Sequence, residues 1–165
     1  MTIRTRIAVI GVGNDFRRDD GTGWAVIDRL RRRAEGCPLP ADTVLATCDG
    51  DPVRLMELWE GTDLAVVVDA AHAHPSRPGL VHRLELDAGG PRSHTTSSHG
   101  LGLGEAVELA RVLGRLPRRL VVYAVEGADS SLGTGLSEPV EAVIEPLAED
   151  VEAEITRQRD AAAHG

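Results

Sequence analysis

Arg6-Ile7-Ala8-Val9-Ile10-Gly11-Val12-Gly13-Asn14-Asp15-Phe16-Arg17-Arg18-Asp19-Asp20-Gly21-Thr22-Gly23 is the stretch that decides the architecture. Arg6 to Val12 is a short, β-branched apolar run that ends in the turn glycines Gly11 and Gly13, as a strand buried in a parallel sheet does. A helix follows: Val26, Ile27, Leu30 and Ala34 recur at helical spacing, and Gly36 with Pro38 ends it. The pattern then repeats, with Thr43 to Thr47 as a second strand, Pro52 to Glu60 as a short helix and Leu64 to Val68 as a third strand running into Asp69. Leu80 to Leu86 alternates like a strand exposed on one face, which suits a sheet edge. Asp87 to Ser98 is loop-like. Ala106, Leu109, Ala110 and Leu113 mark a helix that stops before Pro117, and Leu120 to Val125 is another strand. Val140, Val143, Ile144, Leu147 and Val151 form the stripe of a last helix, in which Pro146 removes a backbone hydrogen bond and introduces a bend. Strands separated by helices predict an α/β three-layer sandwich, a mainly parallel twisted sheet with helices on both faces and an antiparallel edge strand.

A chain of 165 residues with 42% hydrophobic content suits one domain, its core over 6–151 and its polar, Ala-rich tail 156–165 expected to fray. Lys plus Arg number 18 against 26 Asp plus Glu, a formal net charge of −8, which argues against a nucleic-acid partner. Apolar runs such as Leu64 to Val68 are too short to span a bilayer, and the N-terminal residues lead straight into a strand pattern instead of a signal peptide. The expectation is a cytoplasmic protein with no membrane partner. Cys37 and Cys48 are too few for a disulfide framework and read as reduced thiols in or near the core.

In a sheet of this kind ligands bind where loops leave the carboxyl ends of the strands. Those loops carry Gly11 to Gly23, Asp69 and Ser97-Ser98-His99-Gly100. If they neighbour one another, Asp19 or Asp20, Asp69 and His99 make an oxygen, oxygen, nitrogen cluster suited to a borderline divalent metal. A dinucleotide loop is disfavoured because Phe16 stands at the third glycine position and acids fill the turn where a pyrophosphate would lie. Asp19 reads as a cap for the first helix, and His72 and His74 as loop histidines. Ser97 and Ser98 lack a nucleophile elbow, and Asp20-Gly21-Thr22-Gly23 is not the loop of a paired aspartic protease.

Gly11-Val12-Gly13-Asn14 with Asp19-Asp20-Gly21-Thr22-Gly23 resembles the G-x-G-N-x-x-x-x-D-[DE]-G-x-G signature of the hydrogenase maturation endopeptidases. These enzymes trim the C-terminal extension of the large subunit of nickel-iron hydrogenases. Val66 to Ala71 around Asp69 is similar to the second family motif, Ser97 to Leu103 around His99 to the third, and Gly135 to Leu147 to the closing segment. The likeness thus covers roughly residues 6 to 151 in order. It implies that Asp20, Asp69 and His99 are the catalytic, metal-contacting set, toward nickel that the precursor brings with it, with no nucleotide cofactor. Two acids and an imidazole leave positions open for substrate ligands, unlike a closed structural site. Asp49 and Gly50 match the family's substrate-contacting loop after the second strand, whereas Asp51 and Pro52 depart from its D-G-G-T pattern. The competing expectations are a non-cleaving module that senses metal-loaded precursor and a nucleotide-binding α/β protein.

Overall fold

The structure, a computed structural model, describes residues 6–87 and 103–164. Four parallel strands, β1 (Ile7–Val12), β2 (Thr43–Cys48), β3 (Leu64–Ala71) and β5 (Arg119–Glu126), and one antiparallel strand, β4 (Val81–Asp87), form a sheet ordered β2-β1-β3-β5-β4. The alternating stretch near residue 80 is therefore the antiparallel edge strand, paired to β5 from Val81↔Val125 to Asp87↔Arg119. Helices α1 (Thr22–Gly36), α2 (Pro52–Trp59), α3 (Leu103–Leu113) and α4 (Glu138–His164) complete the sandwich.

Period-two alternation sorts the core into two layers. Ile7 and Val9 of β1 join Val26, Ile27 and Leu30 of α1 and Val140, Ile144 and Leu147 of α4, while Ala8, Ile10 and Val12 join Leu55 and Trp59 of α2 and Ala106 and Ala110 of α3. One polar group sits in the first layer. The Glu154 carboxylate, 1% exposed, accepts hydrogen bonds from the Tyr123 hydroxyl at 2.9 Å and Arg83 Nε at 2.7 Å, and so fastens α4 to β5 and β4. On the outer side, Arg29 and Arg33 of α1 pair with Glu145 of α4, and Arg33 also reaches Glu152 at 2.7 Å.

α4 continues through the tail to His164, past Ile155, its last fully buried contact. One expectation is corrected here. Cys48 is buried but Cys37 is exposed, because it follows the end of α1 where the chain turns outward toward β2.

From β1 the chain passes to β2 on one side, and β3 returns to the other side of β1. Loops leaving the ends of β1 and β3 therefore diverge and leave a crevice between them. The helix above that crevice lies unusually close to the sheet. A Cβ on Gly23 would stand 2.4 Å from the Val68 carbonyl oxygen and 2.7 Å from Val12 N, so only glycine lets the first turn of α1 rest on the backbones of β1 and β3.

Candidate functional site

The loop after β1 is shaped by its own polar residues. The Asn14 side chain accepts from Phe16 N at 2.9 Å, Asn14 N donates to the Asp20 carbonyl at 3.0 Å, and Asp20 N donates to the Arg17 carbonyl at 3.0 Å. The loop folds back on itself at Gly13, whose φ of +147° no other residue adopts easily, and a Cβ there would sit 1.9 Å from the Asp20 carbonyl oxygen. This is the physical content of the glycine pattern: close backbone packing that places Asp20 at the crevice, with no phosphate cradle.

Asp19 and Asp20, adjacent in sequence, have opposite environments. Asp19 is 2% exposed, and its carboxylate accepts from Ala128 N at 2.7 Å, Asp129 N at 3.0 Å, Ser137 N at 2.7 Å and the Ser137 hydroxyl at 2.9 Å. Burial alone would raise its carboxyl, but the hydrogen bonds from Ser137, Ala128 and Asp129 outweigh burial and hold it below the usual carboxylate range. Asp19 therefore does not cap α1, whose N-cap is Gly21 with no side-chain bond; it ties the β1 loop to the segment after β5. Asp19 and Asp20 both border an open cleft of about 180 Å³, which Asp69 does not line, and there His72 Nε2 lies 3.2 Å from Asp20 Oδ1. His74, Ser76, Asp129 and Ser130 line the same cleft. Its two walls are joined where the Ser76 hydroxyl donates to the Gly127 carbonyl at 2.7 Å.

Asp69 stands inside β3, opposite Ala124 of β5, and is 8% exposed. Among the described residues the hydrogen bond its carboxylate accepts is from Ala70 N, at 2.8 Å. Burial pushes its carboxyl up to about 7, the Ala70 bond works against that, and the negative charge of Asp20 adds to the rise. Asp20 and Asp69 are thus within electrostatic reach of each other at the same end of the sheet. Among the described residues both have few donors, in contrast to Asp19.

Asp49 and Gly50 occupy the same end, one strand farther out. Asp49 is exposed and accepts from Asp51 N at 3.1 Å, while Asp51 caps α2 through Val53 N at 3.0 Å with Pro52 in the first turn. The departure from the family pattern at Asp51 and Pro52 is thereby explained as a helix start. Neither Asp49 nor Gly50 lines the cleft. Burial pushes the Cys48 thiol up, a bond from Gly50 opposes this, and the charges of Asp49 and Asp69 push it up further.

His99, with Ser97 and Ser98, lies outside the described residues. Among the described residues no group of three or more His, Cys, Asp or Glu side chains is placed to hold a metal ion. His72 stands in the loop after β3, as the sequence reading has it, and what that reading leaves out is its pairing with Asp20. The available signal was its position three residues after Asp69, which puts it on the crevice as β3 ends.

The model of the family described as hydrogenase maturation protease matches residues 49–154. The chain belongs to that family. The family's hydrogenase 2 maturation protease from Escherichia coli strain K12 is 29% identical over 148 residues, with 88% of each chain covered. The structure of the hydrogenase maturating endopeptidase HybD from E. coli superimposes with a TM-score of 0.75 at 25% identity, covering 93% of both chains. The [NiFe] hydrogenase maturation protease HybD from Thermococcus kodakarensis, at 21% identity and a TM-score of 0.72 over 92% of this chain and 99% of its own, shares the fold. A maturation protease is a peptide-bond hydrolase, and the nucleotide-binding alternative falls away with that membership.

Proposed function

We propose that this protein is the endopeptidase that removes the C-terminal extension of a nickel-iron hydrogenase large-subunit precursor once nickel is in place, with Asp20, Asp69 and His99 contacting the metal. The observation that supports this reading is the pair of carboxylates, Asp20 and Asp69, with few donors among the described residues, at the switch point of the sheet in a maturation-protease fold. Two acids in mutual repulsion suit a divalent cation, which relieves both the repulsion and the burial of charge. The nickel belongs to the substrate, and its chemistry toward the scissile carbonyl or a bound water is that of a Lewis acid. Asp69, Asp20 and His99 are the residues that would contact the nickel, and His72, 3.2 Å from Asp20 Oδ1, pairs with the Asp20 carboxylate in its absence. Asp49 and Gly50, one strand away, contact the precursor farther from the bond that is cut. The reaction belongs to the cytoplasm, and no helix among the described residues is long and apolar enough to cross a membrane.

The test is processing of purified precursor by Asp69→Ala and His99→Ala proteins, read as the mobility shift of the large subunit. Both variants should remain folded and leave the precursor uncut. Full processing by either would remove that residue from the site, and wild-type protein that binds nickel-loaded precursor without cutting it would establish a sensing module instead.

A further inference from the structure

Glu126 is a buried carboxylate with no part in the Asp20 and Asp69 site. It ends β5, opposite Ala71 of β3, and is 5% exposed. Its main chain pairs with the turn that leads into β4: Gly79 N donates to the Glu126 carbonyl at 2.8 Å, and Glu126 N donates to the Leu80 carbonyl at 2.9 Å. Its side chain grips the same segment a second time. Oε1 accepts from Arg77 N at 2.9 Å, and Oε2 lies 2.6 Å from Nε2 of His82 on β4. The bonds from Arg77 N and His82 outweigh burial and hold the carboxyl below the usual carboxylate range, which leaves both oxygens free to accept.

The segment so held, residues 72–80, is irregular and has no buried side chain, so apolar packing does not fix it and polar ties must. It is also one wall of the cleft, which His72, Ala73, His74 and Ser76 line. The opposite wall starts at Gly127, one residue past Glu126, and Asp19 holds it through Ala128 N and Asp129 N. Glu126 therefore stands at the joint of the two walls. Resting on the proposed function, we infer that Glu126 is a positioning residue for precursor cleavage: through Arg77 N and His82 its carboxylate fixes the 72–80 wall where His72 meets Asp20 and where the wall bounds the precursor chain. Glu126 itself touches neither the metal nor the bond that is cut. A wall displaced by about 1 Å is enough to lower the rate on the order of 100-fold, because the reacting groups no longer meet in register.

The experiment follows cleavage of nickel-loaded precursor at increasing precursor concentrations by Glu126→Ala, Glu126→Gln, His82→Ala and the Glu126→Ala, His82→Ala double variant, beside Ile155→Val. Ile155 is fully buried toward the far end of α4, near Gln158, which accepts from Arg119 at the start of β5, so its variant lowers the thermal midpoint away from the cleft. Hydrogen exchange of the Arg77 amide and the imidazole resonances of His72 are recorded on the same proteins without precursor. Glu126→Ala should lower kcat roughly 10- to 100-fold with KM changed less than about twofold, lose protection at Arg77 and shift the His72 resonances. Glu126→Gln still offers an oxygen to Arg77 N and an amide group to the imidazole, and should restore kcat to within about threefold of wild type. His82→Ala should fall between the two, and adding it to Glu126→Ala should lower kcat no further. Ile155→Val should keep the wild-type kcat and His72 resonances. With wild-type processing intact, a wild-type kcat in Glu126→Ala overturns the inference alone, as does a loss that Ile155→Val matches or that leaves the His72 resonances unmoved. Should Glu126→Ala fail to fold, a wild-type kcat in His82→Ala overturns it. Wild-type protein that cuts no precursor overturns the parent reading and this inference with it.

Discussion

Three carboxylates with one chemistry, Asp19, Asp20 and Asp69, are set to different work by the donors around them. Asp19→Ala would leave the N–H groups of Ala128, Asp129 and Ser137 without an acceptor, at a cost on the order of 3 kcal/mol. Asp20→Ala removes one partly exposed pairing with His72 and should change stability by less than about 1 kcal/mol while abolishing processing. Urea unfolding of the two variants checks the contrast, and equal stability losses would contradict it. Asp69 makes the pH-dependent case. Its folded carboxyl titrates near 7 and its unfolded carboxyl near the ordinary value of 3.8, so between them the folded state holds more protons. Wild-type stability should therefore fall as pH rises from about 4 through 7, and Asp69→Asn should be the more stable protein at pH 8, by on the order of 3 kcal/mol, with the gap closing at pH 4. Thermal midpoints of the two proteins across that range measure it; a wild type more stable than Asp69→Asn at pH 8 would place the charge in a compensated setting. None of these assignments follows from residue order alone. The partners of Asp19 lie 109 to 118 residues away, and the separation of Asp19 from Asp20 is a property of that long-range clamp.

At the scale of the element, glycine in a helix ordinarily costs about 1 kcal/mol relative to alanine. Gly36, at the end of α1, has open space where a Cβ would go, and Gly36→Ala should stabilise the protein by about 0.5–1 kcal/mol. Gly23→Ala reverses the sign, because its Cβ would collide with backbone atoms of β1 and β3; a loss of at least about 2 kcal/mol is expected, together with reduced processing as Asp20 is displaced. Denaturation midpoints of the pair, with a precursor assay on Gly23→Ala, decide the matter. The strands and helices were legible because their apolar periods are local: Val26, Ile27 and Leu30 announce α1, and the alternation after Leu80 announces the edge strand. What escaped depends on distant partners. Arg83, Tyr123 and Glu154 read as unremarkable surface or strand residues until β4, β5 and α4 meet. His72 was undervalued because two histidines in a Pro-containing loop carry no helical or strand period, and only the return of β3 beside β1 brings one of them to Asp20.

The whole molecule sets a rigid frame beside an opening whose carboxylates have few donors among the described residues. The frame consists of two apolar layers, the Glu154 anchor and the Asp19 clamp; the opening holds Asp20 and Asp69 in a chain whose formal net charge is already −8. Such an opening gains from a cation, and on the proposed function a site with only three protein ligands would hold one weakly until a partner supplies the remainder. On the proposed function, nickel in the precursor would be both the recognition signal and the bridge between the two proteins. The central claim is tested by giving the enzyme equal amounts of nickel-loaded and nickel-free precursor and following the mobility of the large subunit. The loaded form should be cut in strong preference by enzyme that carries no metal of its own after gel filtration; cleavage of both forms at the same rate, by enzyme holding a tightly bound zinc that activity requires, would contradict it.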